Sequence, residues 1–298
     1  MSDSAGAIVV GVDGTDQAVG AARWAGAVAA AYGVGLHIVH AMPSLGRNLT
    51  EAATAIRAAI MSYQADSSQI FLADAADAVG AERPELTVTT ESSRKPANEA
   101  LIDASRTARM VVLGGNEVTP ASALLIGSTT LSVATHAHCP VVAWRGENAA
   151  PTDAPVVVGT DGSDPAAAAL DAGFEFADRF GRQLRAVRSW PNRLPPGAPS
   201  IPFLVDWAAL EAAQLTQLTE EVDRHNQRHP DVNVQCFLEP EGPAQAVLEH
   251  AADAQLIVVG TRGRNALAGA LLGSTSMNLL NHARVPVMVC RGVDEGAS

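Results

Sequence analysis

The segment Gly260-Thr261-Arg262-Gly263, with Gly273-Ser274-Thr275 beginning ten residues after Gly263, has the residue types of a loop that cradles an anion. Without a Cβ, Gly260 and Gly263 let the backbone turn and approach a ligand closely. Gly273-Ser274-Thr275 opens a helical stretch running to Ala283, and Ser274 or Thr275 is placed to cap it. Unpaired N–H groups at such a helix start, reinforced by the helix dipole, bind phosphate. Arg262 and Arg264 add positive charge to the same loop. The plainer alternative is a glycine-rich turn with ordinary caps. Asp161, at the end of an upstream apolar run, tips the balance toward a nucleotide. Its carboxylate could accept hydrogen bonds from a ribose or hold a bridging metal, and an Asx turn at Asp161-Gly162-Ser163 is compatible with either role.

The elements that must position this loop occur twice. Ile8-Val9-Val10-Gly11-Val12-Asp13-Gly14-Thr15 matches Val156-Val157-Val158-Gly159-Thr160-Asp161-Gly162-Ser163 at an offset of 148. Val111-Val112-Leu113-Gly114 matches Ile257-Val258-Val259-Gly260, and Gly127-Ser128-Thr129 matches Gly273-Ser274-Thr275, both at 146. A drift of two residues over a whole domain marks an internal duplication. The copies span 1–146 and 155–298, joined by an Ala- and Pro-rich linker at Gly146–Pro155. In each copy, short β-branched runs alternate with helical stretches, which predicts βαβ units and a parallel sheet covered on both faces. The strands fall near Ile8–Val12, Leu36–Val39, Leu86–Thr89, Met110–Leu113 and Val141–Ala143 in copy one. In copy two they fall near Val156–Gly159, Leu184–Val187, Val232–Phe237, Leu256–Val259 and Val287–Cys290. Long helices are expected over Thr50–Val79 and Asp206–His229, and helix starts at Pro96 and Pro243. The loop hence leaves the carboxyl end of a parallel strand, where doubly wound sheets bind ligands.

Composition excludes several classes. A formal charge of −12 argues against a nucleic-acid partner, which needs a basic face. No apolar run approaches a membrane span, and Met1-Ser2-Asp3-Ser4 lacks the basic start of a signal peptide, so a cytoplasmic location is expected. Cys139, Cys236 and Cys290 are far apart in apolar surroundings and are read as reduced, mostly buried thiols. There is no G-x-x-x-x-G-K-[ST] loop, no complete G-x-G-x-x-G after a strand and no G-x-S-x-G elbow.

On these residues the chain resembles a tandem universal stress protein over nearly its full length. The family's ATP-binding pattern is G, two residues, G, nine residues, then G-[S/T], and Gly260, Gly263, Gly273 and Ser274 match it throughout. The resemblance implies an α/β fold of two tandem doubly wound domains. Each would hold a five-stranded parallel sheet in order 3-2-1-4-5 with helices on both faces, and the fifth strands would pair domain to domain. It implies that Thr160 and Asp161 lie beside adenine and ribose, that Ser189 lines the adenine pocket, and that Val259 offers backbone contacts. Gly260, Arg262, Gly263, Gly273, Ser274, Thr275 and Ser276 would surround the ribose and phosphates, with Mg2+ accompanying the phosphates.

Copy one departs from the pattern. Asp13, Gly114, Gly127, Ser128 and Thr129 remain as a candidate site, but the second glycine is Glu117, the arginine positions are Asn116 and Val118, and Pro120 stands where copy two has Ala266. A carboxylate about 5 Å from phosphate at an effective dielectric of ~20 is repelled by roughly 3 kcal/mol. Copy one is therefore expected to be mainly structural, with adenosine, AMP or a cyclic nucleotide as its remaining options. His136, His138 and His282 sit at helix ends and are read as caps rather than metal ligands. The run Arg224–His229, balanced by Glu220, Glu221 and Asp223, is read as a solvated face. The expected function is a nucleotide-responsive stress or regulatory protein, forming homodimers and signalling to a protein partner. A slow ATPase using the same site and a ligand-free dimerisation module are the alternatives, and no residue of the loop supplies an obvious general base.

Overall fold

The computed structural model describes residues 6–42, 53–114, 126–190, 206–261, 263 and 272–292. The chain divides into two compact units, Met1–Thr152 and Asp153–Ser298. Unit 1 runs β1 (Ile8–Val12), α1 (Asp16–Tyr32), β2 (Leu36–Ala41), α2 (Ala53–Glu82), β3 (Val88–Ser93), α3 (Ala97–Ala104), β4 (Met110–Gly114), α4 (Ser128–His136) and β5 (Val141–Trp144). Unit 2 runs β6 (Val156–Gly159), α5 (Asp164–Phe180), β7 (Leu184–Ser189), α6 (Trp207–Asn226), β8 (Val234–Glu239), α7 (Pro243–His250), β9 (Leu256–Gly260), α8 (Ser274–His282) and β10 (Val287–Cys290).

Within unit 1 the strands lie in the order β3-β2-β1-β4-β5, and within unit 2 in the order β8-β7-β6-β9-β10. Pairing is parallel, with Ile8 opposite Leu36 and Met110, and Val156 opposite Leu184 and Leu256. This is the doubly wound order expected, and its cause is legible in the strands. Ile8, Val10 and Val112 in one unit, and Val156, Val157, Val158 and Ile257 in the other, are fully buried. Only a sheet covered on both faces can bury consecutive residues of one strand. Helix α1 packs on α2 and α3 on α4, as α5 does on α6 and α7 on α8. Right-handed crossovers that leave the first strand in opposite directions place these pairs on opposite faces. The strand order reverses between β1 and β4, and between β6 and β9, so the switch-point crevice opens at their carboxyl ends.

The outermost strands differ most from expectation. Strand β3 begins at Val88 and runs on through Glu91 to Ser93, whereas the apolar signal placed it at Leu86–Thr89. Leu86 instead closes a turn, donating its N–H to Arg83 O, and β3 pairs with β2 through polar residues that stay exposed. An edge strand needs backbone partners on one side only and tolerates polar side chains, which hides it from a hydrophobicity reading. The same cause carries β8 on to Glu239. The proline-rich stretch Trp190–Pro202 lies outside the described residues after Trp190.

Candidate functional site

In unit 2 the crevice is built from two chain segments. The first is the turn from β6 into α5. Gly162 adopts φ 77°, in the left-handed region that suits glycine. That bend brings the Ser163 N–H within 3.1 Å, and the Ser163 hydroxyl within 2.6 Å, of Asp161 Oδ1, and both donate to it. The Asx turn thus holds the carboxylate at the strand end. With its hydroxyl on Asp161, Ser163 stands as N-cap of α5 without a side-chain capping bond.

The second segment leaves β9. Thr261 donates its N–H to Cys290 O at 2.8 Å, and Gly273 donates its N–H to Thr261 O at 2.7 Å. The loop between them is therefore pinched shut at its base, directly ahead of α8. A Cβ on Gly263 would stand 2.5 Å from Asp161 Oδ2, so the loop touches the turn and only glycine fits between them without a shift. Gly260 is required for a different reason than ligand approach. A Cβ there would meet the Pro165 backbone at 2.7 to 2.8 Å, so this glycine lets α5 press onto the strand end.

Several expected side chains have other duties. Helix α8 takes Gly273 as its N-cap with no side-chain capping bond, so neither Ser274 nor Thr275 caps it. Both already lie inside the helix, too far along to accept from its first N–H groups. That leaves the helix start to backbone donors and dipole. Ser274 is exposed and Thr275 half-buried at this end. Ser276 is buried and donates to Gly260 O at 2.6 Å, bracing the strand end from below. Ser189 donates to Glu241 O, tying β7 to the segment after β8. Val259 is buried opposite Gly159 and Val289. Arg262 and Arg264 lie outside the described residues. Thr261 Oγ1 is buried with no hydrogen-bond partner among the described residues.

Sequence reasoning missed Arg188 and the buried role of Glu221. Thr160 is 6% exposed and its hydroxyl donates to Glu221 Oε1 at 2.8 Å. The other Glu221 oxygen accepts from Arg188, and both partners are buried. The signal was present in α6, where Leu218, Glu221, Val222 and His225 form its buried stripe. A carboxylate at the i+3 position of an apolar stripe points inward and needs a partner. The run Arg224–His229 is a solvated face only in part: Arg224, Gln227 and Arg228 are exposed, while His225 is buried and Asn226 and His229 are half-buried. His225 pairs with Asp171 at 2.7 Å, Arg228 pairs with the same carboxylate, and His229 pairs with Asp178 at 2.9 Å, docking α6 on α5. His136 and His282 each donate to the carbonyl four residues back, Ser132 O and Asn278 O, both at 2.9 Å. Among the described residues no group of three or more His, Cys, Asp or Glu gathers as a metal site.

Unit 1 repeats the first segment. Gly14 has φ 83°, and the Thr15 N–H and hydroxyl donate to Asp13 Oδ1 at 3.1 and 2.7 Å. Thr15 also accepts from Ala18 N–H and so caps α1. Gly114 closes against Gln17, where a Cβ would lie 3.0 Å from its carbonyl oxygen. Helix α4 starts at Ser128 and Thr129 behind the N-cap Gly127, again without a side-chain cap. Asn116, Glu117, Val118 and Pro120 lie outside the described residues.

Comparison with known proteins fixes the family. Residues 5–145, and again residues 154–291, match the sequence model of the universal stress protein family. The chain belongs to that family. A universal stress protein of Mycolicibacterium smegmatis is 34% identical over 292 residues, covering 95% of this chain and 96% of its own. One from Mycobacterium tuberculosis strain H37Rv is 33% identical over 298 residues with the same coverage. The crystal structure of a universal stress protein from Archaeoglobus fulgidus superposes with a TM-score of 0.68 at 17% identity, covering 98% of this chain and 99% of that one. This universal stress protein thus carries two family domains in tandem, and no helix among its described residues is long and apolar enough to cross a membrane.

Proposed function

We propose that this universal stress protein binds ATP in its second domain and acts in the cytoplasm as a nucleotide-responsive regulator of a protein partner. The observation that carries the reading is the contact of Gly263 with Asp161, which joins the glycine loop to the carboxylate turn in one crevice. In that arrangement Asp161 faces the nucleoside, with Thr160 beside it and its hydroxyl turned inward onto Glu221. The loop pinched at Thr261–Gly273 and the uncapped start of α8 face the phosphates, with Mg2+ carried on them. Arg262 belongs to the same proposal through its place in the sequence. Unit 1 keeps the Asp13 turn but has Glu117 where unit 2 has Gly263, so the proposal assigns it no ATP.

Calorimetric titration of the full chain with ATP tests the reading. Binding by the wild type and its loss in Gly263→Glu, by about a hundredfold on the Coulomb estimate for a carboxylate beside phosphate, are expected. Equal affinity in the two proteins would overturn it. The proposal extends to a homodimer of two-domain chains, which sedimentation equilibrium would show as twice the chain mass.

A further inference from the structure

Units 1 and 2 build the same carboxylate turn on different supports. In unit 1, His40 donates to Val12 O at 2.8 Å, the Phe71 ring meets His40 edge-on at 5.3 Å, and a Cβ on Gly14 would lie 2.5 Å from that ring. In unit 2, Arg188 stands at the position of His40, Thr160 at that of Val12, and α6 contributes Glu221. The turns above are alike: glycine φ values of 83° and 77°, and backbone bonds to the carboxylate of 3.1 Å in both. A support of His40 and Phe71, without an ion pair, is therefore sufficient to build the turn. A buried ion pair carries a desolvation cost, and apolar groups of the same size often replace one with no loss of stability. Its presence under only one of two equal turns calls for a role other than folding.

We infer that the buried Arg188–Glu221 pair is a positioning device for the nucleoside end of the nucleotide site, acting through Thr160 on the turn that carries Asp161. The inference rests on the ATP site proposed above. The path is continuous. Arg188 holds one oxygen of Glu221, and the other accepts the Thr160 hydroxyl at 2.8 Å. Thr160 Oγ1 in turn accepts the Gly162 N–H at 3.3 Å, beside Asp161. The Thr160 backbone N–H is fixed to Val187 O at 3.0 Å, on the strand that carries Arg188. The entrance of the turn is thereby tied to β7 and α6, and the ligand need not order it on binding. Val12 has no hydroxyl with which to make this link.

The test uses the full chain with Arg188→Met and Glu221→Leu combined, so that neither charge is left buried alone. Thermal melting without ligand and calorimetric affinities for ATP and for adenosine are measured. The expected result is unchanged melting with a loss of about tenfold for both ligands, the worth of one hydrogen bond. A device acting on the phosphates would weaken ATP and spare adenosine, which would overturn the inference, as would unchanged affinity for both. If the double variant fails to fold, Thr160→Val and Thr160→Ser decide. Weakening in the valine variant with retention in the serine variant supports the inference, and equal affinities overturn it. Absence of ATP binding in the wild type would instead remove the parent reading and the inference with it.

Discussion

Gly263 sets the geometry at the scale of single residues, because its missing Cβ is what lets Asp161 and the glycine loop touch. Gly263→Ala should therefore lower ATP affinity by about tenfold, as the Asp161 carboxylate is pushed from its place and a hydrogen bond to the ligand is lost. Calorimetry on the variant checks this, and an affinity equal to wild type would show that the turn yields without consequence. The cysteines give a second prediction. Burial pushes the Cys139 thiol up to about 12 and raises that of Cys236, while Cys290 is buried. A raised thiol pKa means less thiolate, the reactive form, at any pH below it. Iodoacetamide at pH 8 should leave all three largely unmodified in the native chain and modify them after unfolding, as read by intact mass. Residue types told where chemistry could occur but not what each atom does. Asp161 and the glycines were legible from spacing, whereas the duties of Ser276, Ser189 and Gly260 depend on neighbours distant in sequence. Glu221 had a local signal in its helical phase, but its partners, Arg188 and Thr160, sit 33 and 61 residues away.

At the scale of elements, the α5–α6 pair shows how charged residues can be packing residues. Phe174, fully buried in α5, stacks against His225 and His229 at ring distances of 6.1 and 6.0 Å, while Asp171 and Asp178 receive the polar edges. Asp171 serves both His225 and Arg228. Asp171→Ala should destabilise the chain by up to about 1 kcal/mol, the range of a half-exposed ion pair, with little change in ATP affinity. Urea denaturation with and without ATP checks both parts. A solvated face was read from this run because sequence shows that charges balance, not which helix supplies the counter-charge. Strand positions in the middle of each sheet were legible for the converse reason: β1, β4, β6 and β9 are buried on both sides and read as continuous apolar runs. The edge strands β3 and β8 carry no such demand, and their boundaries are set by register with β2 and β7.

At the scale of the molecule, duplication produced two domains of one topology whose crevices have diverged. The carboxylate turn is kept in both, down to its hydrogen-bond lengths. The difference lies around it, in Glu117 against Gly263 and in the His40–Phe71 support against the buried ion pair. Under the proposed function, one occupied site per chain is the consequence. It predicts that saturating ATP stabilises the chain by RT ln(1 + [L]/Kd) for one ligand, about 2.7 kcal/mol at a hundredfold excess over Kd. Native mass spectrometry of the full chain over a range of ATP concentrations tests the central claim most directly. One ATP per chain, retained in the wild type and lost in Gly263→Glu, is the predicted result. Two ATP molecules per chain released in parallel on dilution, or none at any concentration, would contradict it.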